Sequence, residues 1–496
     1  MTDLVLGMDV GTASTKGVLV DADGTVVASA VRSHELSLPR PGWAEHDAET
    51  IWWSEFAAVA RELTGGGHGR VVGVGVSGIG PCLLPTDADG RPLRPAILYG
   101  IDTRAAAEIA AQQERFGADK ILDRCGSPLT SQAVGPKVEW LRRNEPEVWS
   151  QTRRLFMASS FLVHRLTGAY VLDHHSASQA VPMYELDSNR WTDDWSADIA
   201  PGLDLPDLAW PGDLVGEVTA TAAEATGLPA GTPVVAGTVD AWAEAFSVGV
   251  SRPGELMLMY GSTMFLVQVV ERPLRSPSLW GTAGVMPGTY SLAGGMATSG
   301  SLTDWLRQLT GNADFATLTA EAADIPVGAD GLVMLPYFAG ERTPLFDVDA
   351  RGLILGLTLR HGRAHLYRAA LEATAFGVRH NLEAMAAAGA EPSRLVAVGG
   401  GTQGGLWTQI VSDVLSRPQD VPAQTIGASL GDAMLAALAT EPTAPVDRWN
   451  PVATVVEPDP ARKDLYDRLY ETYRSLYPAT RDAAHALARI QEGGAG

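Results

Sequence analysis

Apolar and polar positions alternate in short runs from the first residues. Leu4-Val5-Leu6-Gly7-Met8-Asp9-Val10 is apolar apart from its aspartate and ends at Gly11-Thr12. Val18-Leu19-Val20 then meets Asp21-Ala22-Asp23-Gly24, and Val26-Val27-Ala28 follows. Apolar runs this short, bounded by Gly and Asp, predict strand, turn, strand, with a hairpin at the Asp-Gly turn. A third strand is predicted at Val71–Val76, and a similar Asp-x-Asp-Gly turn recurs at Asp87–Gly90. Helices are predicted from about Thr103 to Gln113 and from about Lys137 to Asn144. Proline and glycine gather at 201–216 and 227–233, which read as connections. A second strand-led start appears at Gly254–Thr263. It is followed by a helical stretch near 300–323, a helix from about Ala364 to Ala387, a strand at Leu395–Val398 and a helix from about Leu406 to Leu415. Beyond about Pro442 the chain is polar and rich in Ala and Pro, then helical near 461–490, a pattern that predicts a peripheral extension.

Two strand-led starts, each opening a mixed α/β half, predict two lobes. The 496 residues agree, being too many for one ordinary core and enough for two of roughly 200–250 residues. The boundary is placed near 246–253. This gives an N-terminal lobe at 1–248, a C-terminal lobe at 249–442 and a helical extension at 443–496 packed on the second lobe.

Composition narrows the function classes. A 46% hydrophobic content and a mean hydropathy of +0.02 are those of a soluble globular chain. No apolar run approaches the ~18–20 residues that span a bilayer, and Met1-Thr2-Asp3-Leu4 lacks the basic and apolar segments of a secretory signal. The two cysteines, Cys82 and Cys125, exclude a disulfide framework and read as unpaired thiols. The expected setting is cytoplasmic, with no membrane partner. A formal charge of −21 opposes nucleic-acid binding, which needs clustered Lys and Arg. It leaves room for an anionic nucleotide held by backbone amides and a bound cation.

Four segments could carry chemistry. In Asp9-Val10-Gly11-Thr12-Ala13-Ser14-Thr15-Lys16, a strand-end aspartate could hold magnesium through water. The Gly-Thr turn could surround phosphate, with Lys16 adding charge. An ordinary hairpin with a capping Asp explains this segment equally well. Met259-Tyr260-Gly261-Ser262-Thr263 repeats the strand-Gly-hydroxyl pattern about 250 residues later and suggests phosphate held from both lobes. Val398-Gly399-Gly400-Gly401-Thr402-Gln403 lets backbone approach a flat ligand such as adenosine, or is simply a flexible loop. Asp240, in Val234-Val235-Ala236-Gly237-Thr238-Val239-Asp240, could accept a proton from an attacking hydroxyl. Taken alone it reads more simply as a helix N-cap.

Other patterns do not hold up. Gly73-x-Gly75-x-x-Gly78 lies inside a valine strand without the helix that a dinucleotide fingerprint requires. His361 and His365 lack the glutamate of a zinc protease motif. Neither Asp-x-Asp-Gly turn has the twelfth-position Glu of a calcium loop.

In order and spacing these segments resemble the FGGY carbohydrate kinases, xylulokinase-like above all. Gly352-Leu353-Ile354-Leu355-Gly356-Leu357, followed after seven residues by His365-Leu366-Tyr367-Arg368-Ala369-Ala370-Leu371-Glu372, is similar to the family's second signature. Lys137–Asn144 resembles the latter part of the first signature, while Val134 stands where a small residue or proline is usual. Gly42–Asp47, Gly340–Pro344 and Gly399–Gly401 are also family-like, so the likeness runs from about residue 4 to 440. The resemblance implies an α/β fold of two ribonuclease H/actin-like lobes with an interlobe cleft, and phosphorylation of a small sugar by ATP with Mg2+. It places Asp9 at magnesium and Gly11, Thr12 and Lys16 at phosphate. Gly261, Ser262 and Thr263 form a second phosphate turn, and Gly400, Gly401 and Gln403 lie at adenosine. Asp240 becomes the catalytic base and a second metal contact. Gly80, Pro81 and Asp102 are the implied sugar contacts besides Asp240. The sugar-reading loop departs from the family, with Ile79-Gly80-Pro81-Cys82 in place of a Gln-Met-His-Gly-like run and Ala241 where Asn is usual. D-xylulose is the first expectation. Erythritol, glycerol, ribulose and autoinducer-2-type diols stay open, as do an actin-like nucleotide switch and a homodimer.

Overall fold

The structure, a computed structural model, describes residues 2–491. The chain forms two compact units. Among the described residues, the first takes Thr2–Pro253, Val269–Ser291 and Ile426–Pro451; the second takes Gly254–Gln268, Leu292–Thr425 and Val452–Gln491.

In the first unit β1 (Asp3–Val10), β2 (Ser14–Val20), β3 (Val26–Ser33), β4 (Arg70–Gly78), β5 (Leu214–Glu217), β6 (Pro233–Val235) and β7 (Thr238–Val239) form one sheet. Its order is β5–β6–β4–β1–β2–β3, with β7 also on β4. β1 runs antiparallel to β2 and parallel to β4. Residues two apart on a strand share a face, and β1 divides accordingly. Leu4, Leu6, Met8 and Val10 join Trp52, Phe56, Val59 and Leu63 in one core. Val5 turns to the other face, against Leu430, Ala433, Met434 and Ala437. The helix Ser54–Gly65 covers the first face and the helix Ala428–Thr440 the second. A strand buried on both sides is why the opening run is almost wholly apolar.

Glycine lets the second helix come close. A Cβ at Gly7 would lie 1.9 Å from the Ser429 carbonyl oxygen, and one at Gly75 2.0 Å from that of Asp432. The G-x-G run in β4 is therefore a contact surface for a helix. Both Asp-x-Asp-Gly segments are turns closed by their first aspartate: Asp21 accepts from the amides of Asp23 and Thr25, and Asp87 from those of Asp89 and Arg91.

The second unit repeats the plan with β8 (Glu255–Tyr260), β9 (Met264–Val270), β10 (Tyr290–Met296), β11 (Arg394–Val398), β12 (Gln419–Pro422) and β13 (Val452–Val456), in the order β10–β9–β8–β11–β12–β13. Again the first strand is antiparallel to its hairpin partner and parallel to a later strand. The helix Arg363–Ala387 packs against the helix Leu406–Leu415 and the strand Val333–Leu335, and buries Tyr367, Leu371 and Phe376. Each unit is of the ribonuclease H/actin type, as the resemblance implied.

The compact units are not two unbroken stretches of chain. The stretch 249–442 does not stay together, because 269–291 and 426–451 pack with the first unit. The alternating small and apolar residues of Ala428–Thr440 form a helix that fits the glycines of β1 and β4. The C-terminal segment does join the second unit, but not peripherally. β13 extends the sheet beside β12, and helix Lys463–Gln491 buries Tyr466, Tyr470 and Tyr473 around Phe376, with Tyr473 5.5 Å from it between ring centroids. Spacing the aromatics three or four apart puts them on one helical face.

Candidate active site

The first unit brings its chemistry to the carboxyl ends of its parallel strands, where open α/β sheets bind ligands. In register, Asp9 of β1 lies beside Ser77 of β4, and Ser77 lies beside Thr238 of β7. Asp240 directly follows β7 and is the first residue of the helix Asp240–Ser247. Its Oδ1 accepts from the Ala241 amide at 2.7 Å. Val239, not Asp240, occupies the cap position, so the carboxylate is not consumed as an N-cap.

Ser77 ties two carboxylates together. Its Oγ lies 2.6 Å from Asp432 Oδ2 and 3.3 Å from Asp9 Oδ1. Asp432 has no accessible surface, and its Oδ1 has no hydrogen-bond partner. Glu244 stands one turn after Asp240, on the same helical face. Lys16 lies among these acids, with Asp9 and Glu244 as its charge partners, and donates through Nζ to the Ile426 carbonyl.

Crowding these acids in a dry setting disfavours their charged forms. Burial raises Asp9 to about 6 and Glu244 to about 7. Burial, then the charge of Asp9, drives Asp240 well above the ordinary carboxylate range, and burial does the same to Asp432. Desolvation pulls Lys16 down, against the attraction of Asp9 and Glu244. Among the described residues no three His, Cys, Asp or Glu side chains are placed to hold a metal by themselves.

The β1–β2 turn holds Gly11 and Thr12, with the Gly11 amide donating to the Ser14 carbonyl at 2.9 Å, and Lys16 follows in β2 opposite Asp9. In the second unit, Gly261, Ser262 and Thr263 make the equivalent turn between β8 and β9. The carbonyls of Gly261 and Ser262 accept from the amides of Ser299, Gly300 and Ser301, at 2.9–3.0 Å, so the helix Gly300–Leu309 pins the turn. Ser262 is exposed. The glycine-rich loop follows β11, whose last residue, Val398, pairs with Met259 of β8. The turn and the loop thus share one sheet end. Gly399 has φ 95°, a conformation that favours glycine, and a Cβ there would meet the Tyr260 carbonyl oxygen at 2.7 Å. A Cβ at Gly400 would meet nothing within 4 Å, Gly401 packs on Trp407, and Gln403 is exposed.

The sugar-side expectations divide. Gly80 packs against Val239, with its would-be Cβ 2.7 Å from Cγ2, so the 79–82 loop adjoins the strand leading to Asp240. Pro81 and Cys82 are buried. Asp102 must be corrected as a sugar contact. Its fully buried carboxylate accepts from the Ala44 amide at 2.7 Å and from the Arg104 amide, Nε and Nη2 at 3.1, 2.9 and 2.7 Å. Those donors fill its acceptor sites, and Arg104 in turn lies 3.8 Å over Trp43. Asp102 anchors this corner of the unit instead of reading a hydroxyl.

Ser77, Glu244 and Asp432 escaped the sequence reading. Glu244 carried a signal, four residues after Asp240 on a helix. Asp432, a lone charge within Ala428-Ser429-Leu430-Gly431-Asp432-Ala433-Met434-Leu435, was a stronger one.

Residues 4–247 match the N-terminal domain of the FGGY family of carbohydrate kinases, and residues 256–440 match its C-terminal domain. The chain belongs to this family, and is an ATP-dependent phosphotransferase acting on a small carbohydrate. It is 30% identical over 493 residues to the xylulose kinase of Escherichia coli strain K12, covering 96% of this chain and 98% of that one. It is 33% identical over 465 residues to the glycerol kinase of Nocardia farcinica strain IFM 10152, covering 88% and 90%. Among solved structures, the xylulose kinase from Rhodospirillum rubrum superposes with a TM-score of 0.91 at 36% identity, covering 97% of this chain and all of that one. No helix of the described residues is long and apolar enough to cross a membrane.

Proposed function

We propose that this protein transfers the terminal phosphoryl group of ATP to a hydroxyl of a ketopentose, D-xylulose foremost, with magnesium. The observation that carries the reading is the meeting of Asp9, Ser77, Asp240 and Asp432 at one sheet end, beside the Gly11–Lys16 turn. The named xylulose kinases among the relatives support the choice of sugar.

Phosphoryl transfer asks a protein for positioning and charge more than for covalent chemistry. Asp240 takes the proton of the acceptor hydroxyl as that oxygen bonds to the terminal phosphorus and ADP leaves. A base is more effective as its pKa rises toward the working pH, and burial beside Asp9 moves Asp240 in that direction. Ser77 and Asp432 fix the Asp9 carboxylate. Lys16, Thr12 and the turn amides hold phosphate oxygens from the first unit, and the Gly261–Thr263 turn does so from the second. Gly400, Gly401 and Gln403 lie open to the nucleoside. The unpartnered oxygen of Asp432 and the raised acids around it fit a nearby divalent cation. Asp9 and Asp240 would hold it, and when bound it supplies positive charge toward the phosphates.

A second substrate class has its own observation. The buried Pro81 and Cys82 offer no charged side chain where a sugar-reading loop is expected. A site that reads fewer hydroxyls rejects their absence weakly, which favours loose selection among ketopentoses or a shorter polyol. The test is kcat/KM with ATP and Mg2+ across D-xylulose, both ribuloses, L-xylulose, erythritol, glycerol and an autoinducer-2-type diol. D-xylulose should lead, with close isomers within about 10³-fold (about 4 kcal/mol). Sharper rejection of every isomer would show that residues outside 79–82 read the sugar. Activity on none of them would remove the ketopentose assignment.

A further inference from the structure

The β1–β2 turn has a buttress that the catalytic reading does not use. His34, just after β3, is nearly sealed, with 4% of its side chain exposed. Its backbone amide donates to the Ala13 carbonyl at 3.0 Å, which holds it against the turn. Its Nε2 lies 3.2 Å from the Gly11 carbonyl oxygen, and its Nδ1 2.9 Å from Glu55 Oε2. The same carboxylate oxygen accepts from the Thr15 hydroxyl at 2.8 Å. One imidazole and one carboxylate thus touch the turn at both Gly11 and Thr15.

A carbonyl oxygen only accepts, so Nε2 donates to Gly11, and Nδ1 shares a hydrogen bond with Glu55 Oε2. The neighbouring ring is different: His46 lies edge-on to His34 at 5.0 Å and accepts from Trp52 Nε1 through Nδ1 at 3.2 Å, which makes it neutral. The other titratable groups near the turn are Asp9 and Lys16 at its ends. Glu45, beside His46, is engaged by Arg94 and Arg104.

We infer that His34 and Glu55 form a hydrogen-bonded pair that fixes the Gly11–Lys16 turn, and so act as positioning residues for the phosphates of ATP. This rests on the proposed reading of that turn. Without the imidazole, the Gly11 carbonyl and the Glu55 carboxylate lose their shared partner and the turn loosens. The KM for ATP then rises while the KM for the sugar does not.

His34→Gln should raise the KM for ATP about tenfold (about 1.4 kcal/mol) and leave the KM for the sugar within about twofold. Glu55→Gln, which keeps the shape but weakens the acceptor shared by His34 and Thr15, should raise the KM for ATP less. A KM for the sugar that rises as much as that for ATP overturns the assignment to phosphate positioning. A KM for ATP within about twofold of the parent in a folded His34→Gln protein overturns the positioning role. Lys16→Met separates the two readings. If it raises the KM for ATP while His34→Gln does not, the inference about His34 falls alone. If neither does, the assignment of the turn to phosphate falls as well. A melting curve for each variant, with Glu55→Gln as the milder change, guards against reading misfolding as lost binding.

Discussion

The two units share a frame and differ at its tip. Each opens with an antiparallel hairpin whose first strand also pairs in parallel with a later strand, and each puts a Gly-hydroxyl turn at the hairpin's end. In the first unit that end is crowded with acids, as Asp9, Asp240, Glu244 and Asp432 surround Lys16 and Ser77. In the second the corresponding strand ends in Tyr260, whose hydroxyl donates to Gln419 at 2.6 Å, and glycines line the neighbouring loop. The backbone supplies a place where amides and close approaches are available. The side chains at the strand ends set the two tips apart, and under the proposed function the first handles the proton while the second receives the nucleotide.

The sharpest way to break this comparison is Asp240→Asn. It keeps shape and the helix start but removes the proposed base, so kcat should fall by about 10²–10⁴-fold, the usual contribution of general-base catalysis. Binding of ATP and sugar, read by calorimetry, should persist. Near-normal turnover would mean that the acid cluster of the first unit is not the chemical centre.

The cluster's burial should also be visible without turnover. Asp9 and Glu244 stand at about 6 and about 7 in the folded chain, above the ordinary carboxylate range, and Asp240 and Asp432 are raised too. Between ordinary and raised values the folded state binds more protons than the unfolded one, so stability falls as pH rises. Without metal, the melting temperature should drop from pH 5 to pH 8. Asp432→Asn and Glu244→Gln should each flatten the drop, and Mg2+ should raise the melting temperature more at pH 8 than at pH 5. A flat profile that ignores both substitutions would show that these acids are solvated in solution.

The smallest effect is expected in the second unit. Ser262→Ala removes one hydroxyl from a turn already pinned by backbone amides. The KM for ATP should rise about 3–10-fold, the scale of one hydrogen bond, with kcat nearly unchanged. A fall in kcat as deep as that of Asp240→Asn would erase the division of labour between the two turns.

Much of this was legible in the chain. Strand-Gly-hydroxyl patterns at Asp9–Lys16 and Met259–Thr263, the glycines at 399–401 and the strand before Asp240 are local signals, since backbone conformation and turn chemistry depend on near neighbours. Helices such as Leu406–Leu415 were fixed by the same short-range periodicity. What the chain could not state was which distant segments share a surface. Asp102 looked like a free carboxylate until the fold brought Ala44 and Arg104 onto it. Residues 426–442 read as part of the second lobe, yet their helix lies on the glycines of β1 and β4 and carries Asp432 to Ser77. Sequence alone determined the elements and the residue types at their ends. Only the tertiary structure decided which of those ends meet, because burial and hydrogen bonding between residues hundreds of positions apart depend on packing that no local pattern encodes.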